Sequence, residues 1–191
     1  MMNDIIDRAL ERFVLEECIN REDSDIYRFG LECMFLKMVH YISYFLIALL
    51  FHSLGSLLVS ACIFAPLRSR IGGYHAKTRL GCYVFSCFMV LLLCLINKQQ
   101  IPEWILFFGL LSADIIIYLL APAADENHPL DSVEVQSFRR QAVVVLLITN
   151  FILLAMMWLN AAISRYMFYG IVMAAVLLLL GKMKEWMKST G

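Results

Sequence analysis

The chain has 191 residues, 61% of them hydrophobic and 17% charged, with a formal net charge of zero. Soluble domains carry roughly 45–50% apolar and about 25% charged residues, so an ordinary soluble globule is excluded, and a neutral chain offers no electrostatic reason to expect nucleic acid as a partner. The six cysteines (Cys18, Cys33, Cys62, Cys82, Cys87 and Cys94) show no CxxC or zinc-type spacing. They argue against a disulfide framework or a closed metal site.

In chain order, residues 3–18 place Ile5, Ile6, Ala9, Leu10, Phe13 and Val14 at helical spacing, with Asp4, Asp7, Arg8, Glu11 and Arg12 between them. This pattern predicts an amphipathic helix lying on the membrane surface, against a bundle, or in water. The charged order of the N-terminus is not that of a cleavable signal peptide. Residues 20–37 are mixed and charged, and close an N-terminal region over 1–37.

Met38 to Pro66 is one long apolar stretch containing His40, His52 and a Ser53-Leu54-Gly55-Ser56 break. About 20 residues cross a bilayer as a helix, so this stretch is long for one untilted span and short for two. A re-entrant helical hairpin over 38–66 turning near Gly55 is expected, with a single tilted span as the alternative. Four further runs follow, each close to one span: 80–97, 104–121, 141–160 and 166–182. Trp104, Trp158, Tyr166 and Trp186 stand near run ends, where interfacial aromatics belong.

Positive charge fixes the expected orientation. The N-terminal region, the loops 66–79 and 122–141 and the C-terminus hold fourteen Lys and Arg residues, and the two remaining connectors hold only Lys98 and Arg165. By the positive-inside rule the loop after Pro66 faces the cytoplasm. The N-terminus then lies on that side as well, which requires the 38–66 stretch to enter and leave by one face. The fold expected is an all-α integral membrane bundle, one membrane-embedded domain over 1–191, with about four full spans, a hairpin segment and an N-terminal amphipathic helix.

Chemistry concentrates in the loop expected over 67–79 and just beyond it. Here Gly72-Gly73, His75 and the cations Arg68, Arg70, Lys77 and Arg79 come within a short distance of Cys82. A cysteine nucleophile needs a base and a field that favours the thiolate. His75 can serve as base, the cations supply the field, and Thr78 is a candidate N-cap that sets Cys82 one turn inside the next helix. Seven residues of unbroken helix separate their ends by about 10 Å, while proton transfer needs about 3 Å. A His75–Cys82 dyad therefore requires the chain to turn back between them, which the two glycines and the cap permit.

The arrangement Arg-x-x-x-Gly-Gly-x-His-x-x-Thr-x-x-x-Cys from Arg68 to Cys82, preceded by Ala65-Pro66, resembles the accessory gene regulator B (AgrB) family. The segment Ala121-Pro122-Ala123-Ala124-Asp125-Glu126-Asn127-His128-Pro129-Leu130 is similar to that family's proline-rich loop. The resemblance implies a membrane cysteine endopeptidase that removes the C-terminal tail of a small amphipathic propeptide. It works through a thioester and leads to a cyclic autoinducing peptide. It implies Cys82 as nucleophile and His75 as base, with Arg68 and Gly73 at motif positions of no assigned role. No cofactor or metal is implied. The partners expected are the propeptide, membrane lipid and a second copy of the chain.

Several side chains stay open at this level. Arg68 and Arg70 are candidates to hold an acidic peptide tail. Asp125 or Asn127 can orient His75, or merely cap a helix. Asp114, alone in an apolar run, is a functional candidate or a partner for another helix. A small transporter or channel component, with Asp114 on its pathway, is the competing reading, and a metal site on His75 and Cys82 is a third. His40, His52, His128 and the other cysteines read as structural.

Overall fold

The computed structural model describes residues 2–16, 20, 23–74, 76, 78–99, 101–123 and 131–189. Among them all regular structure is helical: α1 (Met2–Leu15), α2 (Ser24–Leu50), α3 (Leu54–Ile71), α4 (Arg79–Ile96), α5 (Glu103–Leu120), α6 (Ser132–Leu159) and α7 (Ala161–Ser189). Helices α2 to α7 are each long and apolar enough to cross a membrane. The chain divides into two compact units, residues 1–46 and 47–191.

In the first unit, Ile6 and Leu10 of α1 are buried. Arg28 of α2 reaches Asp7 of α1 at 3.2 Å and Glu32, one turn along its own helix, at 3.8 Å. That i,i+4 pair belongs to the charged segment ahead of the apolar stretch, and α2 already begins at Ser24. Hydropathy marks where a helix suits lipid; it does not mark where the helix starts.

The break in the apolar stretch falls at residues 51–53, ahead of the expected turn at Gly55. The Ser53 N–H donates to the Ala48 carbonyl at 2.8 Å and the His52 N–H to Leu49 at 3.1 Å. His52 takes φ 52°, and a carbonyl-capping motif with a left-handed residue is the standard way to end a helix. Gly55 instead lies in the first turn of α3, where a Cβ would meet nothing within 4 Å. Both arms are longer than the expected hairpin, because α2 starts upstream of Met38 and α3 continues through Pro66 to Ile71. A side chain held left-handed costs roughly 1–2 kcal/mol. His52→Gly is therefore expected to raise stability by about 1 kcal/mol, read as a higher midpoint of thermal unfolding in detergent; a lower midpoint would show that the His52 side chain stabilises the turn.

In the second unit α7 is the most enclosed helix, and α3, α5 and α6 pack on it. Ile171, Ala174 and Leu178 of α7, Leu67 and Ile71 of α3, Ile117 of α5 and Ala142 of α6 are fully or almost fully buried. Small residues set the closest approach. Ser56 and Ser60 of α3 are buried, Ser60 Oγ donates to the Tyr166 carbonyl at 2.7 Å, and a Cβ on Gly170 would lie 2.6 Å from the Ser60 carbonyl oxygen. This is small-residue packing of the kind used between helices in lipid, where close backbone contact replaces a hydrophobic driving force. Large apolar side chains such as Phe88, Phe107, Leu147 and Phe151 point outward, as a lipid-facing surface requires.

Helix ends are set by local chemistry. Asp131 and Glu134 form a reciprocal capping box that starts α6 well ahead of its apolar run. Asn160 ends α6 and accepts the Ala162 and Ile163 N–H groups at 3.1 and 3.2 Å, so α7 begins after a single residue.

Candidate active site

Helix α3 carries Arg68 and Arg70 on its last turn, so the expected 67–79 loop contracts to the segment between Ile71 and Arg79. Its start is fixed by three sets of contacts. First, Arg68 donates from Nη1 to the Gly72 carbonyl and from Nη2 to the Tyr74 carbonyl, the latter at 2.8 Å. Second, the Ala123 N–H donates to the Ile71 carbonyl at 2.9 Å, which joins the proline-rich segment to the end of α3. Third, the Tyr74 N–H donates to the Leu177 carbonyl of α7 at 2.8 Å.

The two glycines are required by this path. Gly72 has φ 68° and Gly73 φ 130°, both left-handed. A Cβ on Gly72 would collide with the Ala123 carbonyl; one on Gly73 would collide with the Arg68 guanidinium and lie 2.8 Å from the Leu177 oxygen. Gly73→Ala is expected to cost more than about 1 kcal/mol, since neither the dihedral nor the space accepts a methyl group. Thermal unfolding of the detergent-solubilised variant measures this, and a wild-type midpoint would contradict it.

Beyond the glycines, Tyr74, Ala76 and Thr78 each meet the start of α4. Thr78 is the N-cap, with an extended backbone and its Oγ1 accepting the Gly81 N–H at 3.0 Å. A Cβ placed on Gly81 would lie 3.4 Å from Ala76 Cβ. The Tyr74 and Phe85 rings stand 5.1 Å apart, and Lys184 Nζ lies 5.7 Å from the Tyr74 ring centre. Cys82 is a free, half-buried thiol in the first turn of α4, between the levels of Gly81 and Phe85. Its backbone N–H donates to the Thr78 carbonyl at 3.0 Å.

His75, Lys77, Asp125, Asn127 and His128 lie outside the described residues. The structure describes Tyr74 and Ala76 on either side of His75, and both lie against α4, Tyr74 at Phe85 and Ala76 at Gly81. Ala121–Ala123, which lead into Asp125 and Asn127, reach the same loop through the Ala123 bond. Arg70 and Arg79 are exposed, whereas Arg68 is drawn inward onto the loop carbonyls. Asp114 accepts from Asn150 Nδ2 at 3.0 Å, tying α5 to α6 away from this loop.

Sequence reasoning missed Tyr74, Leu177 and Gly181. Gly181 carried the one available signal: a lone glycine closing a run of four leucines, costly in a helix unless something packs against it. Leu177 acts through its backbone carbonyl, which leaves no mark in sequence.

These features define a polytopic helical membrane protein with a structured interhelical loop seated at one end of its bundle. The chain belongs to the accessory gene regulator B family, whose profile matches residues 6–180. It is similar to accessory gene regulator protein B of Staphylococcus intermedius, with 26% identity over 181 residues, 92% of this chain and 94% of that protein. It is also similar to accessory gene regulator protein B of Staphylococcus saprophyticus, with 27% identity over 151 residues and 78% of each chain. No solved structure gives a significant match. Family membership gives the chain a role in accessory gene regulation, and the six span-length apolar helices among the described residues make it a membrane protein.

Proposed function

We propose that this chain is a membrane cysteine endopeptidase that removes the C-terminal tail of a small amphipathic propeptide, with Cys82 as nucleophile and His75 as base. The observation that carries this is that the chain on both sides of His75 meets the start of α4: the Tyr74 ring packs on Phe85 and Ala76 lies beside Gly81. A dyad seven residues apart needs the chain to reverse, which a continuous helix forbids.

In the proposed reaction His75 takes the Cys82 proton and Sγ attacks the scissile carbonyl. The tetrahedral intermediate collapses, the C–N bond breaks, and the tail leaves as an amine that takes the proton from His75. The remaining peptide is held as a thioester. A thiol or hydroxyl within that peptide then attacks the thioester carbonyl and expels Cys82, closing a thiolactone or lactone ring. Attack by water gives the linear acid instead. Restricted water access favours ring closure.

Orientation follows from charge. If α2 and α3 both cross the bilayer, the chain returns to its starting side, as the expected hairpin would also do. The basic ends then face the cytoplasm. An amphipathic propeptide bound at the membrane surface arrives at the depth of the loop. Exposed Arg70 is better placed than Arg68 to meet an acidic tail, because the Arg68 guanidinium already serves the loop carbonyls.

The test is co-expression with a candidate short amphipathic propeptide, followed by mass spectrometry of the purified protein. A peptide joined to Cys82 and released by hydroxylamine is expected. Tail removal with no adduct at Cys82, and undiminished in Cys82→Ala, would sink the proposal.

A further inference from the structure

One stripe of α7 is shaped to seat the loop. Leu177, Gly181 and Lys184 are spaced i, i+4 and i+7, so they share a face of the helix. The Leu177 carbonyl accepts the Tyr74 N–H at 2.8 Å. A Cβ on Gly181 would lie 2.7 Å from the Gly73 carbonyl carbon, 2.8 Å from its Cα and 2.8 Å from the Tyr74 nitrogen. Lys184 covers the Tyr74 ring. All three contacts fall on the two residues that immediately precede His75.

We propose that Gly181 is a positioning residue for catalysis: its missing side chain lets the backbone of Gly73 and Tyr74 rest directly on α7 and so anchors the stem of the loop that leads into His75. This rests on the cysteine endopeptidase reading. The contact is backbone against backbone, so no rotamer change relieves a methyl group placed there. The loop has to lift from α7 by a substantial fraction of an ångström, stretching the Tyr74–Leu177 bond. Displacement of about 1 Å in a catalytic arrangement costs about 100-fold in rate. A misplaced catalytic group slows the chemical step without removing peptide contacts, so the loss falls on turnover more than on KM.

The experiment compares wild type, His75→Ala, Gly181→Ala and Gly170→Ala in membranes, at matched folded protein. Two quantities are read: tail removal from the co-expressed propeptide, and the pH profile of Cys82 alkylation by iodoacetamide, resolved by mass spectrometry. Gly170→Ala also crowds α7, against the Ser60 carbonyl of α3, and serves as the packing control. Gly181→Ala is expected to lose about 100-fold in turnover with KM within about threefold, and to take on the alkylation profile of His75→Ala. Gly170→Ala should keep the wild-type profile. A wild-type profile or wild-type turnover in Gly181→Ala overturns the positioning role and leaves the dyad standing. A wild-type profile and turnover in His75→Ala removes the dyad, and the positioning role with it. Should Gly181→Ala fail to fold, Lys184→Met probes the same stripe without a backbone clash. A loss of about two- to fivefold in turnover is then expected, and unchanged turnover overturns the proposal.

Discussion

Cys82→Ala is expected to lower tail removal by at least about 10³-fold while leaving membrane abundance unchanged. Loss of an activated nucleophile removes the covalent route itself, and such losses are among the largest single-residue effects in catalysis. Little structural damage should accompany it. Cys82 is half-buried near the start of α4, its N–H bond to the Thr78 carbonyl is made by the backbone, and alanine favours a helix. Time courses of propeptide cleavage in membranes measure the effect. Residual cleavage within about tenfold of wild type would transfer the chemistry to another group. His75→Ala should fall in the same range, because in the proposed mechanism nucleophile and base act as one unit and their losses do not add.

The second large effect is expected at Arg68. Its two outer nitrogens hold the Gly72 and Tyr74 carbonyls, one on either side of Gly73 and directly ahead of His75. Lysine keeps the charge, but its donors share one nitrogen and lack the planar fork, so it does not reproduce the separate Nη1 and Nη2 bonds to the two carbonyls. Arg68→Lys is expected to lower turnover by about 10-fold to 100-fold, and Arg68→Met by about 100-fold or more, as a misplaced base requires. The propeptide KM should change little in either. If Arg68 instead grips the peptide tail, Arg68→Lys will retain most activity and Arg68→Met will raise KM with turnover preserved. The split between the two kinetic constants separates a loop clamp from a peptide contact.

Much of the architecture was legible in sequence because a bilayer demands it. Runs of apolar residues near span length, interfacial tryptophans and a one-sided distribution of Lys and Arg leave little choice but a helical bundle. The helix ends were less legible. Hydropathy is silent about a helix that continues into water, so α6 starts at its capping box and α3 runs through Pro66 past the apolar boundary. The break at His52 was misplaced to Gly55 because glycine is the usual residue at a left-handed cap, and here a histidine holds that position.

In the candidate site, the Thr78 cap was readable as a local signal three residues from its partner, Gly81. The motif from Arg68 to Cys82 marked the residues of the proposed chemistry, and the helical rise means that a His75–Cys82 dyad would require the chain to reverse between them. Sequence alone thus determined the kind of molecule, its basic loop and a demand for a turn. Tertiary structure decided how that turn is held: Arg68 on the Gly72 and Tyr74 carbonyls, Ala123 on Ile71, and Leu177 and Gly181 of α7 beneath Gly73 and Tyr74. The reason is physical. Apart from the local Arg68 clamp, these contacts join backbone atoms about fifty to more than a hundred residues apart, and a carbonyl or an N–H carries no residue-specific signature until the helices have packed.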